Sequence, residues 1–338
     1  MSGTLSVVIP VYNEEAGLAS LYERLYPALD KLGRQYEVLF VDDGSSDRSV
    51  ALLREQFQKR PDVTRVVVLA RNAGQHMAIL AGFAQTRGDY VVTLDADLQN
   101  PPEEIAKIIA AMDDGADYVG TIRARRHDVY WRKAASRLMN RIRERTTQIS
   151  ITDQGCMLRG YHRSIVEAIN RCLEVSTYVP ALGYTFARHP IEIEVAHAHR
   201  QAGQSKYSLY RLIRLNFDLM TGFSVAPLQF FTMAGTALAL CSLLFVCFLA
   251  IRRLVVGPEA EGVFTLFGIA FFLIGVLLIG LGVVGEYVGR IYEQVRQRPR
   301  YTVAAILEEG GSEDSTQRLL LPRGELLERS AQSIGELE

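Results

Sequence analysis

The chain has 338 residues, with 37 Lys and Arg against 38 Asp and Glu and a net charge of −1 at pH 7. That balance gives no bulk attraction to nucleic acid, so charge has to be read by position. The four cysteines show no C-x-x-C spacing, which excludes a zinc ribbon or a disulfide framework, and they read as reduced packing residues.

The chain opens on Thr4–Pro10, which reads as a strand and not as a signal sequence. Short β-branched runs then recur at Ser6–Pro10, Glu37–Val41, Arg65–Leu69, Tyr90–Leu94 and Tyr118–Thr121. Helical stretches alternate with them at Glu15–Leu32, Arg48–Lys59, Gly74–Thr86 and Glu103–Asp114. This alternation predicts an α/β domain with a mostly parallel sheet covered by helices. Ligands bind such sheets beyond the carboxyl ends of the strands.

Trp131–Gln148 is basic, with Trp131, Ala135, Leu138 and Ile142 on one stripe. It reads as an amphipathic helix lying in a bilayer interface. Tyr207–Phe223 carries a second stripe, Leu209, Leu212, Ile213, Phe217 and Met220, and leads towards the bilayer. Two charge-free runs follow, Gln229–Ile251 and Val263–Gly285. As helices of about 23 residues they reach roughly 34 Å, enough for a hydrocarbon core of about 30 Å.

The expected organisation is a catalytic domain over 1–207, a juxtamembrane helix over 208–228, spans at 229–251 and 263–285, and a tail from 286. The loop at 252–262 has two arginines offset by two glutamates, whereas Arg211, Arg214, Arg290, Arg296, Arg298 and Arg300 flank the spans. The positive-inside rule therefore puts the domain and the C-terminus in the cytoplasm and the loop in the periplasm. The tail over Glu308–Glu338 mixes acids, Gly and Ser and is expected to be largely disordered or to form a marginal helix, with no catalytic role.

Acidic residues fall at two strand ends. Asp42 and Asp43 precede Gly44 and Ser45, an arrangement suited to the base and ribose of a nucleotide. Asp95 and Asp97 are two apart, so an extended segment presents both on one side. With the Gln99 carbonyl they offer hard oxygen ligands for Mg²⁺ or Mn²⁺, which commonly share coordination with substrate phosphates. Asp47 is placed to cap the helix that follows. Arg123 ends the fifth strand, and Arg200, Ser205 and Lys206 lie in a polar loop, all suited to phosphate. Asp153 stands before a Gly turn, either as a base near the reacting centre or as the orienter of a loop arginine.

Taken together, these residues resemble the family-2 glycosyltransferases of GT-A fold. The resemblance rests on Val8-Ile-Pro-Val-Tyr-Asn-Glu-Glu15, Asp42-Asp-Gly-Ser-Ser-Asp47 and Asp95-Ala-Asp97. Arg71-Asn-Ala-Gly-Gln-His76, Asp97-Leu-Gln-Asn-Pro-Pro-Glu-Glu104 and Gly285-Glu-Tyr-Val-Gly-Arg-Ile-Tyr292 narrow it to the polyprenyl-phosphate group. Asp153-x-Gly-Cys-Met-Leu-Arg159 and Gly203-x-Ser-Lys-Tyr-Ser208 look most like bacterial enzymes that place 4-deoxy-4-formamido-L-arabinose on undecaprenyl phosphate for lipid A modification and polymyxin resistance. One departure is Gln204, where many relatives have Glu.

The resemblance implies an inner-membrane enzyme with a UDP-sugar donor, an undecaprenyl phosphate acceptor and an assembly of four copies. It implies nucleotide binding by Pro10, Tyr12, Glu14, Asp42, Asp43, Asn72, Gln75 and Asp95, and a metal on Asp95, Asp97 and Gln99. Asp97, Asp153 and Arg200 become the catalytic set, with Arg123, Arg137, Ser205 and Lys206 around the diphosphate and lipid phosphate. The same scaffold also serves transfer of glucose or mannose, and a nucleotide-binding membrane scaffold without turnover is the reading from another class. The Q-x-x-R-W motif of processive synthases does not occur.

Overall fold

The computed structural model describes residues 3–123, 151–153, 155–172, 178–196, 226–256, 263–296 and 298–310. The described residues fall into two compact units, a sheet unit over 3–123, 151–196 and 298–310 and a helical unit over 226–296. The expected helices at Trp131–Gln148 and Tyr207–Phe223, the 252–262 loop beyond residue 256, and the tail after residue 310 lie outside the described residues.

The sheet unit carries β1 (Leu5–Val11), α1 (Leu18–Asp30), β2 (Tyr36–Asp42), α2 (Ser49–Lys59), β3 (Thr64–Leu69), α3 (Gln75–Phe83), β4 (Tyr90–Thr93), α4 (Ile105–Asp113) and β5 (Tyr118–Arg123). It continues with β6 (Arg159–His162), α5 (Arg163–Arg171), α6 (Val179–Phe186), β7 (Pro190–Val195) and β8 (Val303–Leu307). The eight strands run in the order β7-β5-β6-β4-β1-β2-β3-β8. β4, β1, β2 and β3 are mutually parallel. β6 is antiparallel to both β4 and β5, so β5 regains the direction of the parallel block. The carboxyl ends of β1, β2, β4 and β5 therefore share one edge of the sheet.

The core follows from the sequence pattern. Leu18, Leu21, Leu25 and Leu29 recur at helical spacing in α1 and are all buried. In β1, Val7, Val8 and Ile9 are buried in succession, which requires helices on both faces of the sheet. Each such aliphatic side chain contributes roughly 1.5–3 kcal/mol by leaving water. Gly82 lets α3 lie close on β1, since a Cβ there would come within 2.4 Å of Val8 Cγ1. That close approach fixes the start of α3, and with it Gln75, at the carboxyl edge.

Helix α1 starts at Leu18, later than the Glu15 expected, because the turn from Glu14 to Gly17 precedes it. α3 ends at Phe83, where Thr86 Oγ1 donates to the Phe83 carbonyl and turns the chain out of the helix. The sequence reading did not find β6, β7 or β8. β8 pairs antiparallel with β3, so the segment after the long helices returns to the sheet as an edge strand. Glu308, the first residue expected to be disordered, accepts from Arg65 at 2.9 Å and Arg87 at 2.7 Å.

The helical unit consists of α7 (Ala226–Val256) and α8 (Val263–Val295). Within it Ile269–Val295, 27 residues, is long and apolar enough to cross a membrane, with a mean hydropathy of 2.4 over its most apolar 18 residues. The apolar helix thus runs ten residues past the Gly285 expected, carrying an i,i+4 pair between Glu286 and Arg290 at 2.9 Å. A Cβ at Gly280 would fall 2.0 Å from the Phe231 ring, so α7 packs closely on α8 at that glycine.

Candidate active site

At the carboxyl edge, β1 runs out into Asn13, a non-glycine residue at φ 55°. An asparagine tolerates that left-handed conformation because its short polar side chain can bond locally. Here Asn13 Oδ1 accepts the Ser46 N–H at 2.8 Å, and the Asn13 N–H donates to Ser45 Oγ at 2.9 Å. The neighbouring Glu15 N–H donates to Asp47 Oδ2 at 3.1 Å. Asp47 Oδ1 also accepts the Ser49 N–H at 2.9 Å, a local turn bond just ahead of α2; the N-cap is Arg48, one residue later than the Asp47 expected, and its side chain makes no cap bond. The loops after β1 and β2 are thereby locked into one wall.

Asp42 and Asp43 shape the next wall. Asp42 Oδ2 accepts the N–H groups of Gly44 and Ser45, each at 3.1 Å. Its Oδ1 is buried without a hydrogen-bond partner among the described residues. The Asp43 carboxylate accepts the Ala73 N–H at 2.7 Å and the Gly74 N–H at 2.9 Å. Burial pushes the Asp43 carboxyl above its ordinary range, against the pull of those two donors. Both acids are almost fully buried. They hold the Gly44–Ser45 turn and the Arg71–Gln75 loop in place, and it is those loops that face the cleft. Gly44, at φ 71°, is required there, because a Cβ would come 2.6 Å from the Asn72 nitrogen.

Asp95 and Asp97 follow β4. Asp95 Oδ1 accepts from Gln75 Nε2 at 2.6 Å. Asp97 accepts the Gln99 N–H at 3.1 Å and Gln99 Nε2 at 2.6 Å. Leu98 between them adopts φ 59°, a strained conformation for a branched side chain. That turn brings the Gln99 N–H back onto Asp97. Burial, and then the charge of Asp97, push the Asp95 carboxyl up to about 7. Two carboxylates held in this way suit a hard divalent cation, which would relieve their repulsion. No three His, Cys, Asp or Glu side chains converge among the described residues, so a cation here would take its remaining ligands from phosphate and water. Gln99 holds Asp97 through its backbone N–H and its side-chain amide N–H.

Arg123 closes β5 and meets Asp153 in a two-point pair, Nε to Oδ2 at 2.6 Å and Nη2 to Oδ1 at 2.8 Å. Asp153 Oδ1 also accepts the Gly155 N–H at 3.1 Å. Thr152 is anchored on Glu192 of β7, its N–H at 2.9 Å and its hydroxyl at 2.6 Å. Of the two roles open to Asp153 in the sequence, this geometry is that of the arginine orienter.

Elsewhere, Pro10 lies in β1 opposite Val41, Tyr12 is 49% exposed, Asn72 is exposed on the β3–α3 loop, and Gln75 is exposed at the first residue of α3. The Glu14 N–H donates to Ser49 Oγ at 2.9 Å. Arg137, Arg200, Ser205 and Lys206 lie outside the described residues. The sequence reading missed Asn13, Ser45, Glu192 and Arg159 as parts of the site. A local signal existed only for Asn13, whose residue type favours a left-handed turn.

Residues 6–169 match the model for Glycosyl transferase family 2. The chain is 48% identical over 316 residues to the undecaprenyl-phosphate 4-deoxy-4-formamido-L-arabinose transferase of Edwardsiella ictaluri, covering 93% of this chain and 97% of that protein. It belongs to glycosyl transferase family 2. The Klebsiella pneumoniae protein of the same description is 48% identical over 307 residues, covering 90% of this chain and 94% of that protein. Among solved structures, this family 2 transferase is similar to glucosyl-3-phosphoglycerate synthase from Mycobacterium tuberculosis in complex with Mn²⁺, uridine-diphosphate and phosphoglyceric acid. That likeness has a TM-score of 0.45 at 17% identity and covers 65% of this chain and 77% of the other.

Proposed function

We propose that this enzyme transfers 4-deoxy-4-formamido-L-arabinose from a UDP donor to undecaprenyl phosphate. The observation that carries the reading is 48% identity along 97% of a relative described by that reaction. The long apolar helix supports it, because a polyprenyl acceptor is reached only from a membrane. In this reading α7 and α8 form a two-span hairpin in the bacterial inner membrane, with the sheet unit and the C-terminus on the cytoplasmic side.

The chemistry follows from charge. A phosphate monoester has a second pKa near 6, so the acceptor is mostly dianionic at pH 7 and needs no strong base. One of its oxygens forms a bond to the anomeric carbon while the bond to the UDP oxygen breaks, and the electron pair leaves with UDP. Displacement from the opposite side inverts the anomeric centre. The harder task is to bring two anions together. Arg123, aimed by Asp153, supplies a fixed positive charge at the sheet edge for that purpose. Asp95 and Asp97 would hold Mg²⁺ or Mn²⁺, which when bound neutralises charge on the leaving diphosphate. Gln75 and Gln99 keep the two carboxylates oriented.

The test is the mass of the lipid product. The detergent-purified chain is incubated with undecaprenyl phosphate and either UDP-4-deoxy-4-formamido-L-arabinose or UDP-glucose. A formamido-pentosyl phosphate lipid from the first donor alone is expected. A hexosyl product from UDP-glucose would move the enzyme to another sugar. UDP binding with no product from either would favour a non-catalytic nucleotide-binding scaffold.

A further inference from the structure

Arg159 opens β6 at the same sheet edge as the cleft and is 0% exposed. Among the described residues no carboxylate hydrogen-bonds to this buried cation. Its partners are neutral: the Cys156 carbonyl accepts from Nε at 2.9 Å, the Tyr118 hydroxyl from Nη1 at 2.6 Å, and the Asp153 carbonyl from Nη2 at 2.6 Å. Withdrawing a guanidinium from water is unfavourable unless several good hydrogen bonds offset it. Gly120 makes the room, since a Cβ there would meet Arg159 Nη1 at 3.3 Å.

We propose that Arg159 is a positioning residue for Arg123. It clamps the carbonyls at both ends of the turn from Asp153 to Cys156, so that the Asp153 carboxylate presents the Arg123 guanidinium to the donor diphosphate. The inference rests on the functional reading above, through the role it gives Arg123. The turn's Asp153 carboxylate holds Arg123, and its Gly155 leaves space that Arg123 Nη2 fills, 2.8 Å from where a Cβ would stand. The three acceptors are spread over Nε, Nη1 and Nη2 of Arg159, whereas an ammonium gathers its three donors on one nitrogen and does not span them.

UDP affinity, measured by calorimetry with Mg²⁺ on the full detergent-solubilised chain, tests this. Arg159→Lys is expected to weaken UDP about tenfold, the scale of one hydrogen bond to a charged group. In an Arg123→Met background the same change is expected to add less than about twofold, because coupled residues are not additive. Turnover should follow the same pattern. If Arg123→Met alone leaves affinity and turnover at the wild-type level, the role given to Arg123 falls. If Arg123→Met weakens UDP while Arg159→Lys does nothing, or the two losses multiply, the positioning role is overturned. Should Arg159→Lys fail to fold, Tyr118→Phe decides, since it removes a single acceptor. It is expected to weaken UDP about threefold in the wild-type background only, and an unchanged affinity would overturn the proposal.

Discussion

The Asp153 carboxylate grips the Arg123 guanidinium through both of its oxygens, at 2.6 and 2.8 Å, and is itself held by the Gly155 N–H. With both oxygens on Arg123, the role proposed for Asp153 is to aim a cation. Asp153→Asn keeps the shape and removes the charge. A loss of about 1.5–3 kcal/mol, as for a hydrogen bond to a charged group, corresponds to a fall of roughly 10–100-fold in turnover. Steady-state kinetics of the variant checks this. Abolished turnover with intact donor affinity would instead make Asp153 a general base.

Gly155→Ala isolates the same arginine from the other side. The new methyl would start 2.8 Å from Arg123 Nη2 and push the guanidinium off Asp153. Turnover is expected to fall about as far as in Asp153→Asn, while stability changes by less than about 1 kcal/mol. Comparing kcat with the thermal midpoint separates the two effects.

Burial pushes His76 down to about 4, and the positive charge of Arg159 pushes the same way. Its Nδ1 is buried without a partner among the described residues, and its ring lies edge-on to Tyr178 at 5.1 Å. In the unfolded chain the imidazole takes a proton near its ordinary 6.5. The unfolded state therefore binds more protons between those two values, and stability falls as pH falls through that window. The loss reaches about 3 kcal/mol at the acid end. Thermal midpoints from pH 7 to 4.5 are expected to drop further in wild type than in His76→Phe. Parallel curves would show that His76 has no part in the acid limb.

The last strand is held by charge as well as by its ladder. Arg65, with its side chain 8% exposed, pairs with Glu37 at 3.0 Å and with Glu308 at 2.9 Å. Glu308→Ala leaves Arg65 with one carboxylate, and a loss of about 1–3 kcal/mol is expected. Hydrogen exchange should then rise at β8 and β3 before the rest of the sheet. Unchanged protection there would contradict the role of Glu308.

Much of this fold was legible because its signals are local. β1 to β5 and the helices between them alternate on a pattern that period and turn residues reveal, and the sheet places them where that pattern implies. β6 was missed because Arg159-Gly-Tyr-His162 contains no apolar run, and only pairing between β4 and β5 makes it a strand. β8 was missed because its partner, β3, lies more than 230 residues earlier in the chain. The site followed the same division. Asp42, Asp43, Asp95 and Asp97 stood out as acids at strand ends. Arg159 and Glu192 could not, because their work depends on Tyr118 and Thr152, which come near only in the folded sheet. The two backbone N–H groups that Asp43 holds, those of Ala73 and Gly74, could not be read from the sequence either, because they come from the loop after β3.

The most direct measurement is UDP release from UDP-4-deoxy-4-formamido-L-arabinose with undecaprenyl phosphate, by wild type and Asp97→Asn, with and without EDTA. Wild type is expected to release UDP only when the lipid is present and no EDTA is added, and Asp97→Asn to release almost none while its circular dichroism stays that of wild type. Wild-type rates in Asp97→Asn, or release that EDTA leaves unchanged, would contradict the metal-assisted transfer assigned to the acidic pair after β4.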